Sequence, residues 1–255
     1  MSTGQLVSEQ IRRAALENPK CRQGGIRGVP LMNRILSALP RKEYRSLLPE
    51  LTEVTLAFGE VLYEPGKTIR HVYFPNTSVI SLLSMAERST LEVGMVGSEG
   101  MAGLSVFLGI DKASTRGLVQ RGGSALRMKS ATLRKISNHA SSLHTLLHRY
   151  TYSLLTQVCQ SSACNRFHTT NTRLARWLLM TSDRKSSNEF RLTQDFLSRL
   201  LGIRREAVSK AMCALQKDTL INYRRGVIAI LNRAGLEQSS CTCYAIIKES
   251  GKFLH

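Results

Sequence analysis

Residues 192–230 read LTQDFLSRLLGIRREAVSKAMCALQKDTLINYRRGVIAI, and this stretch decides the C-terminal part of the fold. Apolar residues recur at helical spacing on both sides of Gly202-Ile203, a pair typical of a tight turn. The first stripe is Phe196, Leu197, Leu200 and Leu201, and the second is Val208, Ala211, Met212 and Leu215. Thr193 precedes the first stripe and is a candidate N-cap. The pattern therefore predicts a helix, a turn and a second helix.

A β-hairpin is predicted directly after the second helix. The apolar runs 220–223 and 227–230 flank Arg224, Arg225 and Gly226, so the predicted turn is basic. Helix, turn, helix and hairpin in this order are the elements of a winged helix-turn-helix, in which the hairpin is the wing. A helical hairpin whose charges only face solvent is the structural alternative.

Polar side chains open the second helix and lie away from its apolar stripe, across an arc of about 140°. These residues are Arg205, Glu206, Ser209 and Lys210. Arginine can bind guanine O6 and N7, glutamate can accept from cytosine N4, and lysine can donate to guanine or phosphate. We therefore expect the four to contact DNA bases, while Thr193, Arg224 and Arg225 contact phosphates.

The net charge points to a polyanionic partner. The 255 residues include 36 Lys and Arg against 18 Asp and Glu, a formal charge of +18. Residues 169–234 carry thirteen basic and five acidic residues, the highest density of positive charge in the chain. Such a positive field suggests that the partner is nucleic acid or an acidic membrane surface. The alternative is a basic surface that only aids solubility.

Neither a membrane span nor a secretory signal is predicted. No run approaches 18 uncharged apolar residues, and the N-terminal segment MSTGQLVSEQIRRAALENPK has no apolar core. We therefore expect a cytoplasmic protein that makes no membrane contact.

Short apolar runs separated by glycine and proline fill the chain between Glu53 and Met128. Short apolar runs that alternate with glycine and proline turns are typical of an antiparallel barrel or jelly roll. Residues 132–166 contain neither Gly nor Pro and favour helix. A heptad alternation in that stretch predicts a dimer interface, and a helix that packs on its own barrel is the alternative. The predicted interface residues are Leu143, Leu147, Tyr150 and Leu154.

The predicted fold class is α+β, with an N-terminal antiparallel β jelly roll, a long dimerisation helix and a C-terminal winged helix-turn-helix. Such a chain is long enough to bury a core without a disulfide or a metal. The predicted parts are a flexible basic extension (1–30), a barrel sensor domain (31–140), the dimerisation helix (141–168), the winged helix-turn-helix (169–234) and a C-terminal helix (235–255).

Residues 192–230 resemble the winged helix-turn-helix of the CRP/FNR bacterial transcription regulators. Three upstream segments resemble the cyclic-nucleotide-binding-like jelly roll of that family, namely FGEVLYEPGKTIRHVYFP, SVISLL and LEVGMVGSEGMAGLSVFLG. The order of barrel, long helix and winged helix also agrees. The resemblance implies a homodimer that binds double-stranded DNA at a two-fold symmetric promoter operator, with RNA polymerase as a further candidate partner.

The resemblance also implies roles for single residues. Arg205, Glu206 and Lys210 stand at the family's base-reading positions within RREAVSK. Arg204 stands where the family often has a Ser or Thr that caps the helix. Because arginine cannot cap a helix in that way, we expect Arg204 to contact a phosphate instead.

The barrel departs from the nucleotide-binding members of the family at their ligand cassette. Those members hold the ribose with a Glu that follows a Gly, and hold the cyclic phosphate with an Arg further along. Here Gly103 is followed by Leu104, and Ser114 takes the place of the arginine, with Arg116 two positions out of register. We therefore expect no bound cyclic nucleotide, although Arg116 could substitute in part. A regulator that responds to a cyclic nucleotide or another small ligand is the alternative.

No metal and no other cofactor is expected. The six cysteines form no CxxC pair, and Cys21 stands alone where the family's iron–sulfur members need a cysteine cluster. We expect reduced thiols, with Cys241 and Cys243 packed on a C-terminal helix; a redox-sensing role is the alternative. His144 and His148 share a helix face but have no Cys or acidic neighbour in sequence, which favours interface histidines over a metal site.

An enzyme built on the barrel is the main rival from another class. Residues 54–130 contain one histidine, His71, which is too few for a cupin-type metal centre, and no GxSxG sequence for a serine hydrolase occurs. We expect no enzymatic activity. A further rival is an effector-binding protein whose C-terminal domain makes protein contacts.

Overall fold

A computed structural model describes residues 32–87, 89–137, 141–185 and 188–254. The extension predicted at 1–30, with Cys21, lies outside the described residues. By their contacts, the described residues form two compact units, one within 1–81 and 96–138 and the other within 82–95 and 139–255.

Antiparallel strands dominate the N-terminal half of the described chain. Two short helices, α1 (Arg34–Ser37) and α2 (Arg41–Leu47), precede them, and α3 (Ser130–Ile136) follows. The strands are β1 (Thr52–Leu56), β2 (Val61–Tyr63), β3 (His71–Pro75), β4 (Val79–Ala86), β5 (Ser89–Val96), β6 (Arg116–Arg121) and β7 (Gly123–Lys129). They form a three-stranded sheet of order β1-β7-β3 and a four-stranded sheet of order β2-β6-β4-β5. Most of β4 and β5 belongs to the second unit.

The core of the first unit is built from cross-strand pairs. β3 and β7 are antiparallel, with Val72 opposite Met128 and Phe74 opposite Leu126, and all four side chains are buried. Directly opposed side chains lie on the same face of a sheet, so these pairs stabilise one apolar layer. The buried Asn33 caps α1, and its amide donates to the carbonyls of Pro75 and Gly100.

The long helix α4 (Ser142–Phe167) lies in the second unit. The lack of Gly and Pro favoured helix throughout 132–166, but α3 ends at Ile136 and α4 begins at Ser142. Ser137 Oγ donates to the Leu133 carbonyl, and Ser141 caps α4 by accepting from the His144 N–H. The prediction of helix throughout was wrong because Ser137 and Ser141 have non-helical backbone conformations, and the Ser141 side chain caps the start of α4.

The C-terminal half contains the predicted winged helix-turn-helix elements, which confirms both them and the α+β class. The elements are α5 (Thr170–Lys185), β8 (Glu189–Arg191), α6 (Gln194–Leu201), α7 (Arg205–Lys217), β9 (Ile221–Arg224), β10 (Val227–Ile230), α8 (Arg233–Ser239) and α9 (Thr242–Ser250). Strands β8, β10 and β9 form an antiparallel sheet in that order. Only three residues separate α5, which ends at Lys185, from β8, which starts at Glu189. Within the described ranges, no helix combines the length and the apolar character needed to cross a bilayer.

Candidate nucleic-acid interface

The turn between α6 and α7 is fixed by caps at both ends of α6. Thr193 Oγ1 accepts from the Phe196 N–H at 3.1 Å, which confirms the predicted N-cap. Gly202 ends α6 with a left-handed φ of 61°, and the Ile203 N–H donates to the Ser198 carbonyl at 3.0 Å. The buried Arg173 of α5 donates to the Leu201 carbonyl, so α5 also holds the end of α6. The caps of α6 and the Arg173 contact therefore fix the direction in which the chain leaves α6 and enters α7.

Gly202 should resist substitution because a side chain at its positive φ is strained. An added Cβ would also lie 2.8 Å from Leu91 Cδ1, the flexible end of a side chain that can move aside. Gly226 also has a positive φ, of 77°, but open space surrounds it. We expect Gly202→Ala and Gly226→Ala each to lower the free energy of unfolding by about 1–2 kcal/mol, because both glycines have a positive φ. Urea unfolding of the two variants measures this, and a Gly202→Ala variant as stable as the parent chain would contradict it.

Helix α7 buries one face and exposes the other, as its sequence pattern predicts. Val208, Ala211, Met212 and Leu215 are buried. On the opposite face Arg205, Glu206 and Lys210 are exposed and Ser209 is half-buried. Their position in the first turns of α7 is where a recognition helix contacts base edges.

Exposed cations surround the start of α7. Arg204 is the N-cap residue, and its side chain makes no capping hydrogen bond, as expected for arginine. Among the residues that the structure describes, no carboxylate forms an ion pair with Arg204, Arg205 or Lys210. Arg199 differs, because it pairs with Asp195 at 2.7 Å. The positive charge at the start of α7 is therefore available to an external anion.

The wing is a β-hairpin formed by β9 and β10, and its turn has two residues. Arg225 and Gly226 form its turn with φ values of 52° and 77°, the pattern of a type I′ turn. Arg224 pairs with Val227 across the hairpin, and both arginines are exposed.

Arg191 lies on the strand that pairs with the wing, and it is a further cation that the sequence reasoning missed. It lies on β8 opposite Val227, whose other neighbour across the sheet is Arg224. Because opposed side chains share a face, Arg191 and Arg224 lie on the same side of the sheet. The alternation of polar and apolar residues from Glu189 to Leu192 is a sequence signal for a strand that could have located it.

Three of the four predicted dimer-interface residues are buried within the single chain. Leu143, Leu147 and Tyr150 are at most 2% exposed, and Leu154 is half-buried beside Gly94 of β5. The apolar side chains that α4 leaves exposed are Tyr152, Leu155 and Phe167, at 55%, 59% and 77%. The burial of the predicted seam agrees with the alternative in which this face packs within its own chain.

The cassette region of the barrel is occupied by the protein's own side chains. The Tyr63 ring lies against Gly117, where an added Cβ would be 2.6 Å from it, and its phenol lies near the Gly103 backbone. Burial raises the pKa of Tyr63 above its ordinary value. Arg116 Nε donates to Glu64 Oε2 at 2.8 Å, while Leu104 is half-buried and Ser114 exposed. The two arms of the cassette are Gly103-Leu104 and the segment 114–117. Tyr63 thus fills space between these two arms.

Comparison with known protein families confirms the resemblance. Residues 172–239 match the Crp-like helix-turn-helix domain, which spans α5 to α8. No curated protein matches the chain in sequence.

Solved structures share the fold of most of the chain. FixK2 of Bradyrhizobium japonicum is 17% identical over 75% of this chain and 98% of its own, with a TM-score of 0.65. A CRP-family transcriptional regulator of Thermus thermophilus is 18% identical over 73% of this chain and 96% of its own, with a TM-score of 0.61. The c-di-GMP responsive global regulator CLP of Xanthomonas campestris is 16% identical over 75% and 99%, with a TM-score of 0.59. The architecture is therefore that of CRP/FNR-type proteins.

Proposed function

We propose that this chain, whose residues 172–239 form a Crp-like helix-turn-helix domain, is a CRP/FNR-type transcription regulator. It binds double-stranded DNA as a homodimer, at a two-fold symmetric operator, and it does so without a cyclic nucleotide. Such a protein acts in the cytoplasm and is not an enzyme. RNA polymerase stays a candidate partner on the family resemblance alone.

The observation that carries the proposal is the set of exposed cations at the start of α7, on β8 and on the wing. The set consists of Arg191, Arg204, Arg205, Lys210, Arg224 and Arg225, and none of them has an ion-pair partner within the described residues. Arg205, Glu206, Ser209 and Lys210 are proposed to contact bases, and Thr193, Arg204, Arg224 and Arg225 to contact phosphates. The Thr193 hydroxyl accepts from the Phe196 N–H, and its own proton can be donated to a phosphate.

The dimer is proposed to form along α4. The predicted seam at Leu143, Leu147, Tyr150 and Leu154 is one candidate, but its first three side chains are already buried. The exposed side chains of Tyr152 and Leu155 are the other candidate, since apolar surface of this kind on one helix suits a self-complementary two-fold contact.

DNA binding should depend steeply on salt. Each phosphate contact releases a condensed counterion, so the logarithm of the binding constant falls by about 0.9 per contact for each logarithmic unit of salt. A gel shift over a salt series measures the slope, and the proposed phosphate contacts should produce a slope of several units. A chain whose C-terminal domain serves protein contacts would show no such binding at any salt concentration.

The barrel should bind no cyclic nucleotide. Leu104 cannot accept from a ribose hydroxyl, Arg116 is ion-paired with Glu64, and Tyr63 fills the space between. Calorimetry with cyclic AMP and cyclic GMP should therefore show no heat of binding. Micromolar affinity for either nucleotide would contradict the assignment and favour the ligand-responsive alternative, and Arg116→Ala would then be the variant that tests the contact.

A further inference from the structure

Three cysteines and one histidine from distant parts of the chain meet in the second unit. Cys164 and His168 lie at the end of α4, and Cys241 and Cys243 lie at the start of α9. Their ligand atoms all lie within 4.8 Å of one another. Cys164 Sγ is 3.5 Å from Cys241 Sγ, and Cys243 Sγ is 3.6 Å from His168 Nδ1. The three cysteines are buried and His168 is half-buried.

The geometry points to a tetrahedral Zn²⁺ site formed by Cys164, His168, Cys241 and Cys243. Three thiolates and one imidazole are a donor set of structural zinc sites, which are closed and four-coordinate. Zinc–sulfur bonds of about 2.3 Å place the corners of a tetrahedron roughly 3.8 Å apart. Two of the pairs are already close to this separation, and all the ligand atoms lie within 4.8 Å of one another, so small side-chain rotations would suffice to close the site.

Buried arginines next to the cluster match the charge of such a site. Zn²⁺ with three thiolates and a neutral imidazole carries a net charge of −1. Arg176 is 5% exposed and close enough to Cys164 and Cys243 to interact with their thiolates electrostatically. Within the described residues, the Nε atoms of Arg173 and Arg176 are buried without a hydrogen-bond partner. A buried cation needs a compensating anion, and the zinc-bound thiolates supply one.

The zinc would cross-link two helices. It would join the last turn of α4 to the start of α9, which are separated by more than 70 residues of sequence. Arg173, beside Cys164, also holds the Leu201 carbonyl at the end of α6. Binding of the metal replaces thiol protons and stabilises the folded chain over the unfolded one.

Metal content of the full chain tests the assignment. Purified under reducing conditions with equimolar zinc and then desalted, the chain should retain one zinc per chain. Cys164→Ser, His168→Gln and Cys243→Ser should each lose it. Cys159→Ser and Cys213→Ser are matched controls, since both cysteines are exposed and outside the cluster, and both variants should retain the metal.

The unmodified chain gives a test that does not depend on the folding of a variant. Titration with Co²⁺ should produce the intense thiolate charge-transfer and tetrahedral d–d absorption of a sulfur-rich site, and one equivalent of Zn²⁺ should abolish both. Removal of the zinc by a chelator should lower the Tm by about 10 °C. A reduced chain that retains no zinc and gives no cobalt spectrum overturns the proposal, as does one in which Cys159→Ser removes the metal as completely as Cys164→Ser.

Discussion

Replacing Leu155 by glutamate should convert the dimer into a folded monomer and weaken operator binding by a factor on the order of 10²–10⁴. Leu155 is 59% exposed on α4, so the charge does not disturb the packing of the single chain. In a two-fold contact each glutamate would be buried against its copy without a partner, which is strongly disfavoured. The loss of affinity follows because a monomer binds one half-site only. Light scattering and a gel shift on the same sample measure both effects.

Leu147→Asp is the matched control, because it distinguishes the two candidate faces of α4. Leu147 is fully buried within the chain, so an aspartate there should lower the Tm severely. If the predicted seam at Leu143 and Leu147 were the dimer interface, Leu147→Asp would instead give a folded monomer and Leu155→Glu would stay dimeric. That pair of results would contradict the interface at Leu155.

Arg205→Ala should weaken operator binding by about 1–3 kcal/mol and relax the preference at one base pair of each half-site. Arg205 opens α7 with an exposed side chain that has no ion-pair partner among the described residues. Alanine maintains the helix, so only the base contact is lost. Selection of bound duplexes by the variant, followed by sequencing, reads the relaxed position directly.

Arg225→Asn is the control for readout, because asparagine tolerates the positive φ of the wing turn. It should weaken binding to all sequences about equally and lower the salt slope by roughly one unit. If Arg225→Asn changed the preferred sequence while Arg205→Ala did not, the recognition element would be the wing and not α7.

The helix-turn-helix could be predicted from sequence because its signals are local. The apolar stripe from Val208 to Leu215, the glycine that ends α6 and the basic hairpin turn each lie within a few residues of the structure they determine. The same holds for Thr193, whose capping bond spans three residues. Local patterns also indicated the barrel strands, although Arg191 was missed because β8 is only three residues long.

What depends on distant contacts could not be predicted. A heptad pattern shows that Leu147 is buried, but it does not show whether the burial is against a second copy or within the same chain. Cys164 and Cys241 meet only because α9 packs against α4, and neither half of the cluster has a zinc-like spacing by itself. Tyr63 likewise lies between the two arms of the cassette through the folding of the barrel.

The most direct test of sequence-specific recognition is selection from random duplex DNA by the purified 255-residue chain, followed by sequencing of the bound fraction. A homodimer that reads DNA with two copies of α7 should enrich a two-fold symmetric sequence whose half-sites are about 10 base pairs apart, one helical turn. The enriched duplex should bind far more tightly than a scrambled one at the same salt concentration. Recovery of duplexes with no shared sequence, bound no better than the starting pool, would contradict sequence-specific DNA recognition by this protein.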